Sequence, residues 1–117
     1  MATGARGEGY LELDGEQYPV LFTLRALADA ERLTGKTVLQ LMAAAQSNSM
    51  GVGDLAQLLA VGMEYARREN SGRGKAYNAN DAWRLLDELG FGPVAVVVFE
   101  ALAAVMSYRR EGRNPPV

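Results

Sequence analysis

Val94-Ala-Val-Val-Val-Phe-Glu-Ala-Leu-Ala-Ala-Val-Met106 carries one charge, Glu100, and is otherwise apolar on every side. Whether this run is helix or strand decides the fold class. Its valine-rich first half, Val94 to Phe99, suits a buried strand. Its full length is roughly twice that of an ordinary strand, and Gly92-Pro93 stand before it, with proline pre-set for the first helical position. The reading is helix. A helix that is apolar all round must be covered all round. Yet a domain of this size hides only about two thirds of the surface its unfolded chain exposes. The run is also too short for a bilayer, which takes roughly 20 apolar residues. The pattern points to association with another polypeptide.

Upstream of this helix the period stays helical. Asn78 is placed to cap a fourth helix, with Asp81 three residues on as a variant of the capping box. Ala82, Leu85, Leu86 and Leu89 form its inward face, and Gly90 closes it. Arg67 to Lys75 is a polar, glycine-containing linker. A third helix carries Asp54 in its first turn, where a carboxylate suits the positive end of the helix dipole. Leu55, Leu58, Leu59, Gly62, Met63 and Ala66 make its buried stripe. Gly62 costs about 1 kcal/mol relative to alanine in a helix interior, and the expected reason is close approach of a neighbouring helix.

Gln46 to Gly53 reads as a loop. Before it, Thr37 caps a short second helix with the apolar face Val38, Leu41, Met42 and Ala45. The first helix starts at the Thr23 cap, buries Leu24, Leu27 and Ala28, turns Arg25, Asp29 and Arg32 outward, and ends at Gly35.

Gly9 to Phe22 reads as a β-hairpin about Asp14-Gly15, a pair suited to the two positive-φ positions of a type I′ turn. That turn sets Leu13 opposite Glu16, Leu11 opposite Tyr18 and Gly9 opposite Val20. Leu11, Leu13, Tyr18, Val20 and Phe22 then share one face, with Glu12 and Gln17 on the other. Pro19 marks an edge strand or a non-bonded position. The expectation is a mainly α fold, an N-terminal β-hairpin followed by about five helices in a small single-domain bundle. Residues 1–8 and 111–117 are expected to be flexible ends around a domain spanning 9–110.

Composition removes most chemistry. With no cysteine there is neither disulfide nor thiolate, and with no histidine the commonest general base and transition-metal ligand are missing. The acidic groupings Glu12-Asp14-Glu16, Asp29-Glu31 and Asp87-Glu88 lie on a turn or on solvated helix flanks, not in a pocket that would split their acidities. Gly72-Arg-Gly-Lys75 fails as a phosphate loop, since Glu69 and Ala76 break the required pattern. No catalytic, cofactor-binding or metal-ligating residue is assigned. Arg67, Arg68, Arg73, Lys75 and Arg109, Arg110, Arg113 are two small basic clusters, and a net charge of −2 gives no long-range attraction to nucleic acid. Trp83, Tyr77, Tyr65 and Tyr108 read first as cover for the core edge. The first nine residues lack the apolar core of a signal peptide, so a cytoplasmic location is expected.

Several pieces recur in order: Leu13-Asp-Gly15, Tyr18-Pro-Val-Leu-Phe-Thr23, Ala26-Leu-Ala-Asp-Ala-Glu31 with Thr34-Gly35, and Asp54-Leu-Ala-Gln-Leu-Leu59. Last comes Asn78 to Gly90 around Ala82-Trp-Arg-Leu-Leu-Asp87. In that order and spacing, Gly9 to Met106 resembles the small tail assembly chaperones of long-tailed phages (siphoviruses), prophages and gene transfer agents. The resemblance implies a non-enzymatic protein that binds the aggregation-prone tape measure protein before the tail tube polymerises. It also implies a longer, frameshifted form that recruits tail tube protein, this chain corresponding to the short form. A homo-oligomer in the host cytoplasm, absent from the mature particle, would follow. Leu58, Leu59, Val97, Val98, Leu102 and Val105 are the expected contacts with client or copy. The competing readings are a structural head–tail connector or minor tail protein, and a small helical nucleic-acid-binding module.

Overall fold

A computed structural model describes residues 7–69 and 79–107. Strands β1 (Glu8–Leu13) and β2 (Glu16–Leu21) form an antiparallel hairpin. Five helices follow: α1 (Leu24–Thr34), α2 (Val38–Gln46), α3 (Val52–Glu69), α4 (Ala79–Leu89) and α5 (Phe91–Ser107). This is the mainly α architecture that the patterning predicts. Asn78, Tyr77, Tyr108, most of the linker and residues 1–6 and 111–117 of the expected flexible ends lie outside the described residues. Glu8, expected to be part of the flexible N-terminus, instead pairs with Leu21 in the hairpin.

The hairpin has the predicted register, Leu13 opposite Glu16 through Gly9 opposite Val20. Asp14 and Gly15 both take positive φ, 55° and 80°. Leu11, Tyr18, Val20 and Phe22 are buried, while Leu13 is half-buried and packs at the core margin. The pairing continues one step past the strands, where Phe22 N donates to Gly7 O at 2.8 Å.

Helix α3 lies at the centre, against β2, α1, α4 and α5. Its Leu55, Leu58, Leu59, Gly62 and Met63 are buried as predicted. Ala56 and Val61 are buried as well, because a helix with neighbours on several sides has no single inward stripe. Gly62 does admit a close neighbour, but the neighbour is not a helix. A Cβ at Gly62 would meet the Phe22 ring at 2.8 Å and Val20 Cβ at 3.1 Å, so the glycine accommodates the end of the hairpin.

Helix α1 is rotated from the predicted phase. Leu24 is 70% exposed and Ala28 is exposed, whereas Ala26, Leu27 and Ala30 are buried. The two stripes share Leu27 and differ by about 110° at 3.6 residues per turn. Small alanines let α1 approach the core closely, and that close packing outweighs burial of one leucine. The caps are as read: Thr23 Oγ1 accepts from Ala26 N at 3.1 Å, and Gly35 is left-handed at φ 73°.

Thr37 and Gln40 close a full capping box on α2, and the Glu31 carboxylate accepts from Val38 N at 2.8 Å. Between α4 and α5 the chain bends by 118° at Gly90, whose φ is 96°. Helix α5 begins at Phe91, two residues before the predicted start at Pro93. The ring is tolerated because first-turn N–H groups have no intrahelical acceptor to lose.

Candidate protein-interaction groove

The all-apolar helix is covered on one side and open on another. Val94, Val98, Ala101 and Leu102 of α5 are buried, and Val97 and Val105 are half-buried against β1 and its approach. Val96 is 55% exposed and Phe91 41% exposed. Four of the six predicted contact residues, Leu58, Leu59, Val98 and Leu102, are therefore interior. This corrects the expectation that they present apolar surface. They face inward because α3 and α5 bury these positions against each other and against the hairpin. Val97 and Val105 keep only a margin of exposure.

The open side of α5 forms one wall of an apolar groove of about 250 Å³. Phe91, Ala95, Val96 and Phe99 make that wall, and Ala45, Asn48 and Met50 make the opposite one. Leu55, Val98 and Leu102 close the floor. No ionisable residue lines it.

The second wall is held by the serine-rich end of α2. Ser49 N donates to Ala44 O at 2.7 Å, Ser47 Oγ donates to Ala43 O at 3.0 Å, and Asn48 takes a positive φ of 58°. That loop reads as polar turn chemistry, yet it aims Met50, a flexible apolar side chain suited to irregular partners, into the groove.

A polar cluster joins α1 to α3 elsewhere on the surface. Tyr65 OH donates to Asp29 at 2.5 Å, and Arg32 pairs with the other oxygen of the same carboxylate. The Arg68 guanidinium lies 4.9 Å from the centre of the Tyr65 ring. Glu64 receives Arg67 at 2.7 Å and Arg68 at 2.9 Å. Hydrogen bonding to Arg67, then to Arg68, lowers the Glu64 carboxyl to about 2. The hydrogen bond from Tyr65, followed by that from Arg32, lowers Asp29. Of these contacts the Tyr65–Asp29 hydrogen bond joins α1 to α3, while the Glu64 pairs lie within α3. Among the described residues no three His, Cys, Asp or Glu side chains are grouped to hold a metal ion, and no single helix is long and apolar enough to cross a membrane.

Comparison with family models, curated proteins and solved structures returns no match.

The sequence signal for the groove was present but ambiguous. Val96 and Phe99 sit inside the apolar run Val94 to Met106, where every position looks alike. Phe91, Asn48 and Met50 flank helix ends, where periodicity says nothing about exposure.

Proposed function

We propose that this chain is the short form of a tail assembly chaperone of a long-tailed phage or phage-like particle. In this reading it binds the tape measure protein in the host cytoplasm and keeps it soluble until the tail tube assembles. The resemblance across Gly9 to Met106 supplies the family. The observation that carries the role is the uncharged groove between α2 and α5, rimmed by Phe91, Val96 and Met50. An amphipathic client helix lays its apolar face into such a groove by side chains at helical spacing. Several copies would line one long client. Tail tube protein would be reached through the longer, frameshifted form.

Co-expression with the tape measure protein of the same genome tests this. The client is expected to become soluble and to co-purify with multiple copies of this chain, and purified particles should lack it. A client that stays insoluble, together with this chain in finished particles, would make it a structural tail or connector protein instead.

A further inference from the structure

The two outer edges of the hairpin are not equivalent. The bond from Phe22 N to Gly7 O makes these two residues a hydrogen-bonded pair, and bonded and non-bonded pairs alternate along an antiparallel ladder. Gly9–Val20, Leu11–Tyr18 and Leu13–Glu16 are then bonded pairs. Tyr10–Pro19 and Glu12–Gln17 are non-bonded pairs, with their N–H and C=O groups aimed outward. Pro19 agrees with this count, since its nitrogen has no hydrogen for Tyr10. It also removes the donor at the middle of the β2 edge, which hinders strand addition there.

The β1 edge has no such block. Tyr10 and Glu12 carry both backbone groups, and among the described residues the sheet has two strands and no loop backbone bonds to either residue. An open edge of this kind is a template for another strand. Its chemistry selects the partner. Tyr10 is 46% exposed on the outer face, and Glu12, Asp14 and Glu16 are exposed beside it. Arg84 lies near Asp14 and donates to the Tyr18 hydroxyl, which in turn donates to Glu16, whereas Glu12 forms no ion pair with a described lysine or arginine. A second copy pairing β1 with β1 about Tyr10 would set Glu12 against Glu8 twice, and like charges directly opposite repel.

We infer that the β1 edge is a strand-addition site for an extended basic segment of a partner protein. That segment carries Lys or Arg opposite Glu12, two residues from a central aromatic or apolar residue that lies opposite Tyr10. The client groove on α5 is a separate surface, and this inference stands whether or not the chain is a chaperone.

The probe is the peptide acetyl-Thr-Lys-Val-Tyr-Val-Lys-Thr-amide, titrated into the ¹⁵N-labelled full chain at low salt. Binding should shift and protect the Tyr10 and Glu12 amides and leave Gln17 and Leu21 unmoved. Glu12→Gln should weaken it about two- to five-fold. Tyr10→Pro removes one outward N–H, leaves the hairpin's own ladder intact and should weaken binding more than about ten-fold. The same peptide N-methylated at its tyrosine deletes the reciprocal bond with the protein unaltered, and should lose binding to the same degree. Equal binding by the N-methylated peptide, or by one with Glu in place of Lys, overturns the inference. So does an absence of change at Tyr10 and Glu12, or self-association of the peptide-free chain through these same amides.

Discussion

Gly62 on α3 lies against the ring of Phe22 so closely that an added Cβ would stand 2.8 Å from Cζ and 3.0 Å from Cε2. Phe22 is fully buried, so its ring has little room to yield. This contact seats the hairpin on the central helix and joins the two halves of the fold.

Gly62→Ala is therefore expected to destabilise the protein by up to about 2 kcal/mol. Overpacking costs about 1–3 kcal/mol, and the gain of about 1 kcal/mol in helix propensity offsets part of it. Urea unfolding measures the difference. Shortening the ring by Phe22→Leu in the same chain should make the alanine less costly than it is beside phenylalanine.

Val96 and Val98 are two residues apart and have opposite fates. Val98→Asp places an unpaired charge in the core and should unfold the domain, a loss of more than about 4 kcal/mol. Val96→Asp should cost only about 0.5–1 kcal/mol, from the apolar contact this half-exposed side chain gives up, because valine and aspartate have similar helix propensities. It should nevertheless weaken capture of the tape measure protein more than about ten-fold in co-purification, since it puts a carboxylate on the groove wall. Normal capture by the folded Val96→Asp protein would remove the groove from the proposed function.

Glu64 gives stability a defined dependence on pH. Its carboxyl is lowered from 4.5 to about 2 in the folded chain, so the unfolded chain binds the proton more readily between those values. The contribution is present above pH 4.5 and is lost as pH falls toward 2. Arg68 is 57% exposed, and solvent screening brings the contribution to about 1 kcal/mol. Glu64→Gln should lose that amount at pH 7 and almost nothing at pH 2, read by thermal unfolding across the range.

Thr37 Oγ1 accepts from Gln40 N at 3.1 Å, and Gln40 Oε1 accepts from Thr37 N at 2.8 Å. Thr37→Ala should cost about 1 kcal/mol, and Thr37→Ser should restore most of it. Hydrogen exchange at the Gln40 amide reports the local effect, because the alanine variant leaves that donor without its side-chain acceptor.

Features that depend on a few neighbouring residues were legible in the sequence. The hairpin register follows from Asp14-Gly15 and strict alternation. The helix starts at Thr23 and Thr37 and the stops at Gly35 and Gly90 follow from hydroxyls and from positive φ. The buried stripe of α4 follows from a strong contrast between leucines and charges. In α1 the contrast is weaker, since alanine is acceptable inside or outside, and the buried face lies about a third of a turn from the one the pattern predicts.

The sequence alone determined that this chain would be a small helical domain with a hairpin and one helix too apolar to stand by itself. Only the tertiary structure decided which side of that helix stays open, and that Gly62 makes room for Phe22. The reason is physical. A hydrophobic period marks a face by contrast between apolar and polar positions, and a helix with one charge in thirteen residues has almost none. Which of its sides is covered is set by the hairpin and helices packed around it.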